Sequence, residues 1–156
     1  MGHDVDHVVV FKSGPMRFGL DVDLVQEVIA ACEISPLPDA PEAVSGVVTI
    51  DGRVVAVVDP HRHFKQEDTT PLGIESRFLL VNSSVGTIAI IADAVEGVID
   101  VLRSALKAAE QLVGGMSLLK DVAAAVGGLV YIFDPKLLLT AADAASLRAA
   151  LARLQP

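Results

Sequence analysis

The residues with the clearest chemical potential are an aspartate and two histidines near the middle of the chain. Asp59, His61 and His63 occur within the string DPHRH. A carboxylate and two imidazoles are ligands that zinc or iron accepts. No further cysteine or histidine is nearby in the sequence, and Asp59-Pro60 also has the form of an N-cap followed by proline at the first helical position. Two alternatives stay open, a small metal-dependent enzyme and a solvated helix end, and we favour the helix end.

Other catalytic signatures are absent from the sequence. It contains no nucleophile elbow, no Walker loop and no dinucleotide-binding fingerprint, and its Gly-Gly pairs lack the spacing that cradles phosphate. Neighbouring acids such as Asp21 and Asp23 lie in segments that read as surface. We therefore predict that the protein is not an enzyme and uses no cofactor.

The amino-acid composition narrows the possible fold and disfavours several classes of function. The chain has 156 residues, of which 52% are hydrophobic but only 4% aromatic, so its core must be built from Val, Ile, Leu and Ala, which suits β-strands. The formal net charge of −8 repels phosphate backbones and anionic lipid surfaces, which disfavours nucleic-acid binding and attachment to a membrane surface.

Cysteine content and the absence of targeting signals indicate the compartment. Cys32 is the single cysteine, so no intrachain disulfide is possible, and we expect a small buried hydrophobe there. The start of the chain has no basic region followed by an apolar stretch. No uncharged run approaches the roughly 18 residues of a membrane helix. These features predict a cytoplasmic protein without direct membrane insertion.

The chain contains an internal duplication. Residues 8–29 align without a gap on residues 78–99, and residues 52–60 align on residues 127–135 in the same order. Because there are only two copies, a pseudo-symmetric pair of small domains is favoured over an open array of repeats.

Each copy predicts the same series of elements. A β-hairpin (8–20 and 77–92) precedes a short helix (21–29 and 93–98). A second hairpin then turns at Asp51-Gly52 or at Gly127-Gly128, and one helical turn follows each Asp-Pro. The proline-rich segment 34–42 reads as a rigid connector and 66–75 as a linker. A helix is possible at 104–112, and a C-terminal helix is expected at 140–154.

Five segments in this order closely resemble the CheW family of chemotaxis coupling proteins. They read VVFKSGPMRFGLDVDLVQEVI, SPLPDAPEAVSGVVTIDG, VVAVVDP, RFLLVNSSVGTIAIIADAVEGVIDV and GLVYIFDPKLLL. The resemblance implies a mainly β fold of two pseudo-symmetric five-stranded antiparallel β-barrels with short helices and a C-terminal helix. It implies one CheW-like domain over residues 1–156, with a first barrel copy at about 8–64, a second at about 77–139, and the helix in 140–156.

The resemblance also implies a function. Such proteins are adaptors that couple the cytoplasmic tips of methyl-accepting chemoreceptors to the regulatory domain of a CheA-type histidine kinase, at receptor arrays under the inner membrane. Carried over by position, the receptor-binding groove would contain Val25, Glu27, Val28, Pro38, Pro41, Val44, Gly46, Asp51, Gly52, Val95 and Val98. The kinase-binding residues would be Ala89, Gly127 and Gly128.

Two short segments depart from the family pattern. The chain has Thr-Ile-Asp-Gly at 49–52 where the family usually has Asn-Leu-Arg-Gly, and Val-Asp-Pro-His at 58–61 where it usually has Val-Asp-Leu-Arg. The first departure replaces a receptor-facing arginine by Asp51, and reversing a charge at a recognition site usually lowers affinity for the original partner. A divergent scaffold or competitor that binds the kinase but not the usual receptor is therefore an alternative.

Overall fold

The computed structural model describes residues 5–60, 72–102, 106–108, 119–125 and 127–154. Within these ranges the chain is mainly β, with one α-helix, α1 (Ala141–Ala152), and 3₁₀ turns at Val22–Leu24 and Pro135–Leu137. The strands are β1 Val5–Ser13, β2 Met16–Asp21, β3 Val25–Ala30, β4 Val44–Ile50, β5 Arg53–Val58, β6 Arg77–Ser83, β7 Gly86–Ala92, β8 Ala94–Leu102, β9 Leu106–Ala108, β10 Leu119–Ala125 and β11 Gly128–Phe133.

The strands form two sheets of the same design. Barrel A has the order β8-β1-β2-β11-β10-β9, and barrel B has the order β3-β6-β7-β5-β4. The predicted mainly β fold with two pseudo-symmetric units is confirmed. One detail differs from the purely antiparallel expectation, because β2 pairs with β11, and β7 with β5, in parallel.

Each sheet closes on itself. In barrel B, Ser35 lies beyond the end of β3 and exchanges two backbone hydrogen bonds of 2.8 Å with Val47 on β4, the opposite edge of the sheet. In barrel A, β9 follows β8 and pairs with β10 in the corresponding place. A Cβ on Gly46 would lie 2.3 Å from the Ser35 carbonyl oxygen, so this closure requires glycine.

The duplication in the sequence is visible in the strand registers. Tyr131 is opposite Phe18 in barrel A, and their equivalents Ala56 and Ile88 are opposite each other in barrel B. The β1–β8 and β3–β6 pairs carry β-bulges at equivalent positions, and so do the β4–β5 and β10–β11 pairs. The two barrels are therefore related by an approximate twofold operation that preserves pairing and bulges.

Neither barrel is built from a single copy of the duplicated sequence. Barrel B takes all its strands from residues 25–92, whereas barrel A combines β1 and β2 with β8 to β11. Copies 8–64 and 77–139 each contribute strands to both barrels, unlike the expectation of one barrel per copy.

The exchange has a geometric reason. Inside a single barrel, the third strand of a copy would lie beside the first and run parallel to the second, so the chain would have to return along the full length of a strand. Residues 22–24 separate β2 from β3, and three residues span at most about 10 Å. The chain instead crosses directly into the other barrel.

Three apolar clusters stabilise this arrangement. A cluster inside barrel A contains Val8, Val10, Val101, Ala123, Val130 and Ile132. Its counterpart inside barrel B contains Val48, Val55, Val57, Phe78, Leu80 and Ala89. The third, which we call the shared core, joins strands of both barrels to Leu147 and Ala150 of α1.

Phe11, Phe18 and Phe133 lie in the shared core, with ring centroids 5.7–6.2 Å apart. Such edge-to-face and tilted contacts between aromatic rings add to the stabilisation from burial.

The helices predicted at 21–29 and 93–98 are wrong. Only Val22–Leu24 is helical, as a 3₁₀ turn capped by the Asp21 carboxylate, and the rest belongs to β3 and β8. A bulge in each strand inserts one residue, so Val25 and Val28 share a face three positions apart. This spacing imitates the periodicity of a helix.

The predicted hairpin turn at Asp51-Gly52 and the predicted C-terminal helix are confirmed. Asp51 and Gly52 both have positive φ, 50° and 77°, as a type I′ turn requires. Pro135–Leu137 forms the expected turn after Asp134, and α1 begins at the predicted cap, Thr140. The last hairpin turns one residue earlier than predicted, because Ala125 pairs with Gly128.

Other predictions differ from the structure or fall outside its described part. Leu106–Ala108, inside the possible helix at 104–112, is a strand. Cys32 is exposed, so the expected burial is wrong, because the chain leaves the end of β3 there. The helical turn at 61–64 and most of the 66–75 linker lie outside the described residues.

Candidate functional site

The candidate metal triad is described only at Asp59. His61 and His63 lie outside the described residues. Asp59 is buried, and Ser13 Oγ donates a hydrogen bond of 3.3 Å to its carboxylate, which links β1 of barrel A to the end of β5 in barrel B. Within the described ranges, no group of three His, Cys, Asp or Glu side chains is placed to hold a metal ion.

Four of the predicted groove valines lie at the margin of the shared core. Val25 on β3 and Val95 on β8 are partly buried and pack against this core. Val28 and Val98 are 42% and 56% exposed. Their cross-strand partners, Leu79 and Val9, are buried in the shared core, and directly opposed residues point to the same face of a sheet. The apolar face of each barrel therefore continues from the core to solvent.

Glu27 lies beside these valines on β3. Its side chain is exposed, next to the bulge between Val25 and Glu27. Glu27 is opposite Leu80, which lies in the cluster inside barrel B, so it lies on the other face of β3 from Val25 and Val28.

The proline connector is anchored on the shared core. Leu37 is buried there, and Ala40 and Ala43 pack against it. Pro38 is exposed and Pro41 is partly buried. The connector can therefore offer Pro38 to a partner while Leu37 holds its backbone in place.

Val44 and Gly46 follow the connector but are buried. Val44 packs in the shared core, and Gly46 permits the barrel closure at Ser35. Asp51 and Gly52, at the far end of the same hairpin, are exposed. Of the groove residues predicted in this hairpin, Asp51 and Gly52 thus face solvent, whereas Val44 and Gly46 support the hairpin from its buried side.

The three predicted kinase-binding residues lie in different environments. Ala89 is fully buried inside barrel B, so its side chain is closed to a partner in this structure. Gly127 and Gly128 are exposed on the last hairpin of barrel A. We therefore keep only the two glycines in the proposed kinase surface.

An ion pair beside these glycines was not singled out from the sequence. Arg17 Nε and Nη2 donate to the two carboxylate oxygens of Glu96 at 3.0 and 3.1 Å, and Arg17 Nη1 donates to the Gly128 carbonyl at 3.5 Å. The three residues lie on β2, β8 and β11 of barrel A. Arg17 and Glu96 are 79 positions apart, and although both lie in segments that resemble the family, no sequence signal pairs them.

The candidate residues fall into two groups, one on each barrel. Barrel B carries the β3 residues, the connector, and the Asp51-Gly52 turn. Barrel A carries Val95 and Val98 on β8, together with the Gly127-Gly128 turn that Arg17 links to this strand. Val95 and Val98, predicted together with the first group as part of the receptor groove, thus lie on the other barrel.

No helix in the described part of the chain is long and apolar enough to cross a membrane.

Comparisons with known proteins agree on one family. Residues 7–143 match the family model described as the CheW-like domain. The chemotaxis protein CheW of Treponema pallidum (strain Nichols) is 26% identical over 112 residues, which cover 70% of this chain and 66% of that protein.

A solved structure shares the fold. The crystal structure of the scaffolding protein TtCheW from Thermoanaerobacter tengcongensis superposes with a TM-score of 0.77 and 22% sequence identity. The superposition covers 88% of this chain and 94% of that one.

Proposed function

The chain belongs to the CheW family, and on this basis we propose that it is a chemotaxis adaptor that couples chemoreceptors to a CheA-type histidine kinase. The CheW-like domain is a scaffold without enzymatic activity. The proposed partners are the regulatory domain of the kinase and the cytoplasmic tip of a methyl-accepting receptor. The proposed location is therefore the cytoplasmic side of the membrane, within receptor arrays.

The observation that carries the proposal is the exposure of Val28 and Val98. Each lies on a barrel face whose neighbouring residues form the shared core, and each leaves about half of its side chain in water. An apolar surface next to a rigid core suits the apolar side of a partner helix, which gains free energy on burial of roughly 25 cal/mol per Å².

Each predicted residue has a proposed role in this arrangement. Val25, Val28, Val95 and Val98 supply apolar contacts to the receptor, and Glu27, Pro38, Pro41, Asp51 and Gly52 border them. Val44 supports the β4–β5 hairpin through the shared core, and Gly46 supports it through the barrel closure at Ser35. Gly127 and Gly128 contact the kinase.

A second candidate function is favoured by Asp51. Its side chain is exposed at a turn where the family usually carries arginine, so a partner surface that matches arginine would meet a carboxylate instead. In this case the protein is a divergent scaffold or competitor that binds the kinase but not the usual receptor.

Co-sedimentation with both partners tests these functions. The purified protein is mixed with the cognate kinase regulatory domain and with a receptor cytoplasmic fragment, separately and together. An adaptor brings down both, a competitor brings down only the kinase domain, and failure to bind either refutes both proposals.

A matched pair of substitutions tests the surface. We expect Val28→Asp to lower receptor binding at least about fivefold, since it places a charge in an apolar contact. Leu154→Asp is the control, because Leu154 is 43% exposed, close to the 42% of Val28, and lies at the end of α1 outside the proposed surface. Equal binding by the two variants would remove β3 from the interface.

A further inference from the structure

We propose that Arg17 is a positioning residue that fastens the Gly127-Gly128 turn to β8 and so holds the turn in the conformation that binds its partner. The inference rests on the proposed function, because it takes the kinase regulatory domain as the partner of this turn. Arg17 itself need not touch the partner.

The geometry of the ion pair suits a positioning role. Both Glu96 carboxylate oxygens accept from Arg17, and the two side chains are only 17% and 31% exposed. Bidentate arginine–carboxylate pairs hold a fixed geometry, and partial burial reduces their screening by salt. Unlike most ion pairs on a surface, this one is therefore suited to holding two strands in register.

The location of Arg17 in barrel A also suits this role. Residues alternate between the two faces of a strand, and Phe18 points into the shared core. Arg17 therefore points to the same face as Gly19, where an added Cβ would lie 2.6 Å from Val8 and 2.9 Å from Val130 of the cluster inside the barrel. The ion pair lies at the end of β2 next to the last hairpin of barrel A.

Arg17 also lies close against the turn itself. A Cβ on Gly127 would lie 3.3 Å from Arg17 Nη1, and Gly127 has φ of 93°. Glycine thus serves both the turn conformation and the approach of the guanidinium group. The third nitrogen of Arg17 then reaches the Gly128 carbonyl, which connects the turn to β8 through one side chain.

The pseudo-symmetry provides an internal comparison. The equivalents of Arg17 and Glu96 in barrel B are Thr87 and Gln26, whose side chains make one uncharged hydrogen bond of 3.4 Å. The strand pairing and bulges are the same in both barrels, so the ion pair is not needed to form the fold. Its presence only beside Gly127 and Gly128 points to a role specific to this turn.

Hydrogen exchange and kinase binding test the inference on the full-length protein. We expect Arg17→Met to speed amide exchange at residues 127–129 about tenfold, because the link to β8 is lost, and to weaken binding of the kinase regulatory domain several-fold. Arg17→Lys keeps the charge but loses the bidentate contact, so we expect an intermediate effect. Thr87→Met, the equivalent change in barrel B, should alter neither measurement.

Two further results would support or refute the proposal. Adding Glu96→Gln to Arg17→Met should cause little additional loss, because the two residues act as one unit. Unchanged exchange at the turn in Arg17→Met, or a uniform increase across both barrels, overturns the positioning role, and so does full kinase binding by both Arg17 variants. If the unsubstituted protein binds no kinase domain, the proposed function fails, while the exchange result still decides whether Arg17 holds the turn.

Discussion

Gly19 shows how a single residue limits what the interior of barrel A can hold. A Cβ at this position would lie 2.6 Å from Val8 Cγ1 and 2.9 Å from Val130 Cγ1, inside the cluster of that barrel. Its equivalent in barrel B is Ala89, so the second barrel accommodates the methyl group that the first excludes. The two interiors have the same plan but different packing.

We expect Gly19→Ala to lower the free energy of unfolding by about 1–3 kcal/mol, because valine side chains are stiff and cannot withdraw. Urea denaturation followed by circular dichroism measures the loss. Gly73→Ala is the control, since a methyl group added at Gly73 would meet nothing within 4 Å. Equal stability of the two variants would contradict the packing argument.

Asp51 stands where the family usually has arginine, so it is the residue most expected to change specificity for the receptor. We expect Asp51→Arg to change receptor affinity by about 1 kcal/mol or more, since it reverses a charge at an exposed turn. Stability should fall by only about 1 kcal/mol, because the turn is on the surface and arginine tolerates its positive φ less well than aspartate. Titration of a receptor cytoplasmic fragment measures the affinity.

Asp51→Asn separates charge from conformation in this experiment. Asparagine tolerates the positive φ of 50° as well as aspartate does, so it removes only the charge. Receptor binding that is the same in all three proteins would place the turn outside the interface.

Among the elements, hairpins and capped helices were predictable and bulged strands were not. Asp51-Gly52 and Thr140 carry local signals, because a positive φ and a helix N-cap each favour a few residue types. In β3 the bulge depends on pairing with β6, which comes about fifty residues later in the chain, so a local pattern cannot reveal it.

The same distinction holds for the candidate site. The VQEV segment and the glycine turn carry family patterns, and the structure places Val28 and Gly128 at the surface. The contact of Arg17 with Glu96 arises only when β2 and β8 join one barrel. Burial of Ala89 likewise follows from which face of β7 points inward.

The N-terminus of α1 offers a test at this scale. Thr140 Oγ1 accepts from the Asp143 amide, and the Asp143 carboxylate accepts from the Thr140 amide. We expect Thr140→Ala to cost about 1 kcal/mol of unfolding free energy, as loss of an N-cap usually does. Thermal unfolding compares it with Ser146→Ala, an exposed change in the same helix. A loss no larger than in Ser146→Ala would show that the capping box does not stabilise the protein.

For the whole molecule, the exchange of strands predicts how it responds to cleavage. A protease site introduced within residues 66–71 would divide the chain between β5 and β6. Each barrel would then contain strands from both fragments, joined by the pairs β1–β8, β2–β11, β3–β6 and β5–β7. We expect the cut protein to elute as one species and to separate only in the urea range where it unfolds.

The uncut protein carrying the same insertion is the control for this experiment. Separation of the fragments in native buffer would show that each copy forms a barrel by itself. The duplication in the sequence cannot distinguish barrels with exchanged strands from one barrel per copy, because equivalent strands pair in equivalent registers in both arrangements.

The short crossings between the barrels have a mechanical consequence. Three residues connect β2 to β3, and Asp93 alone connects β7 to β8. Asp93 is itself tied to the first hairpin, because its amide donates to Lys12 and its carboxylate accepts from Gly14, both at 2.8 Å. A force that a bound protein applies to β3 or β8 is thus transmitted to the opposite barrel through a few covalent bonds. The two barrels then move together as one rigid body rather than independently.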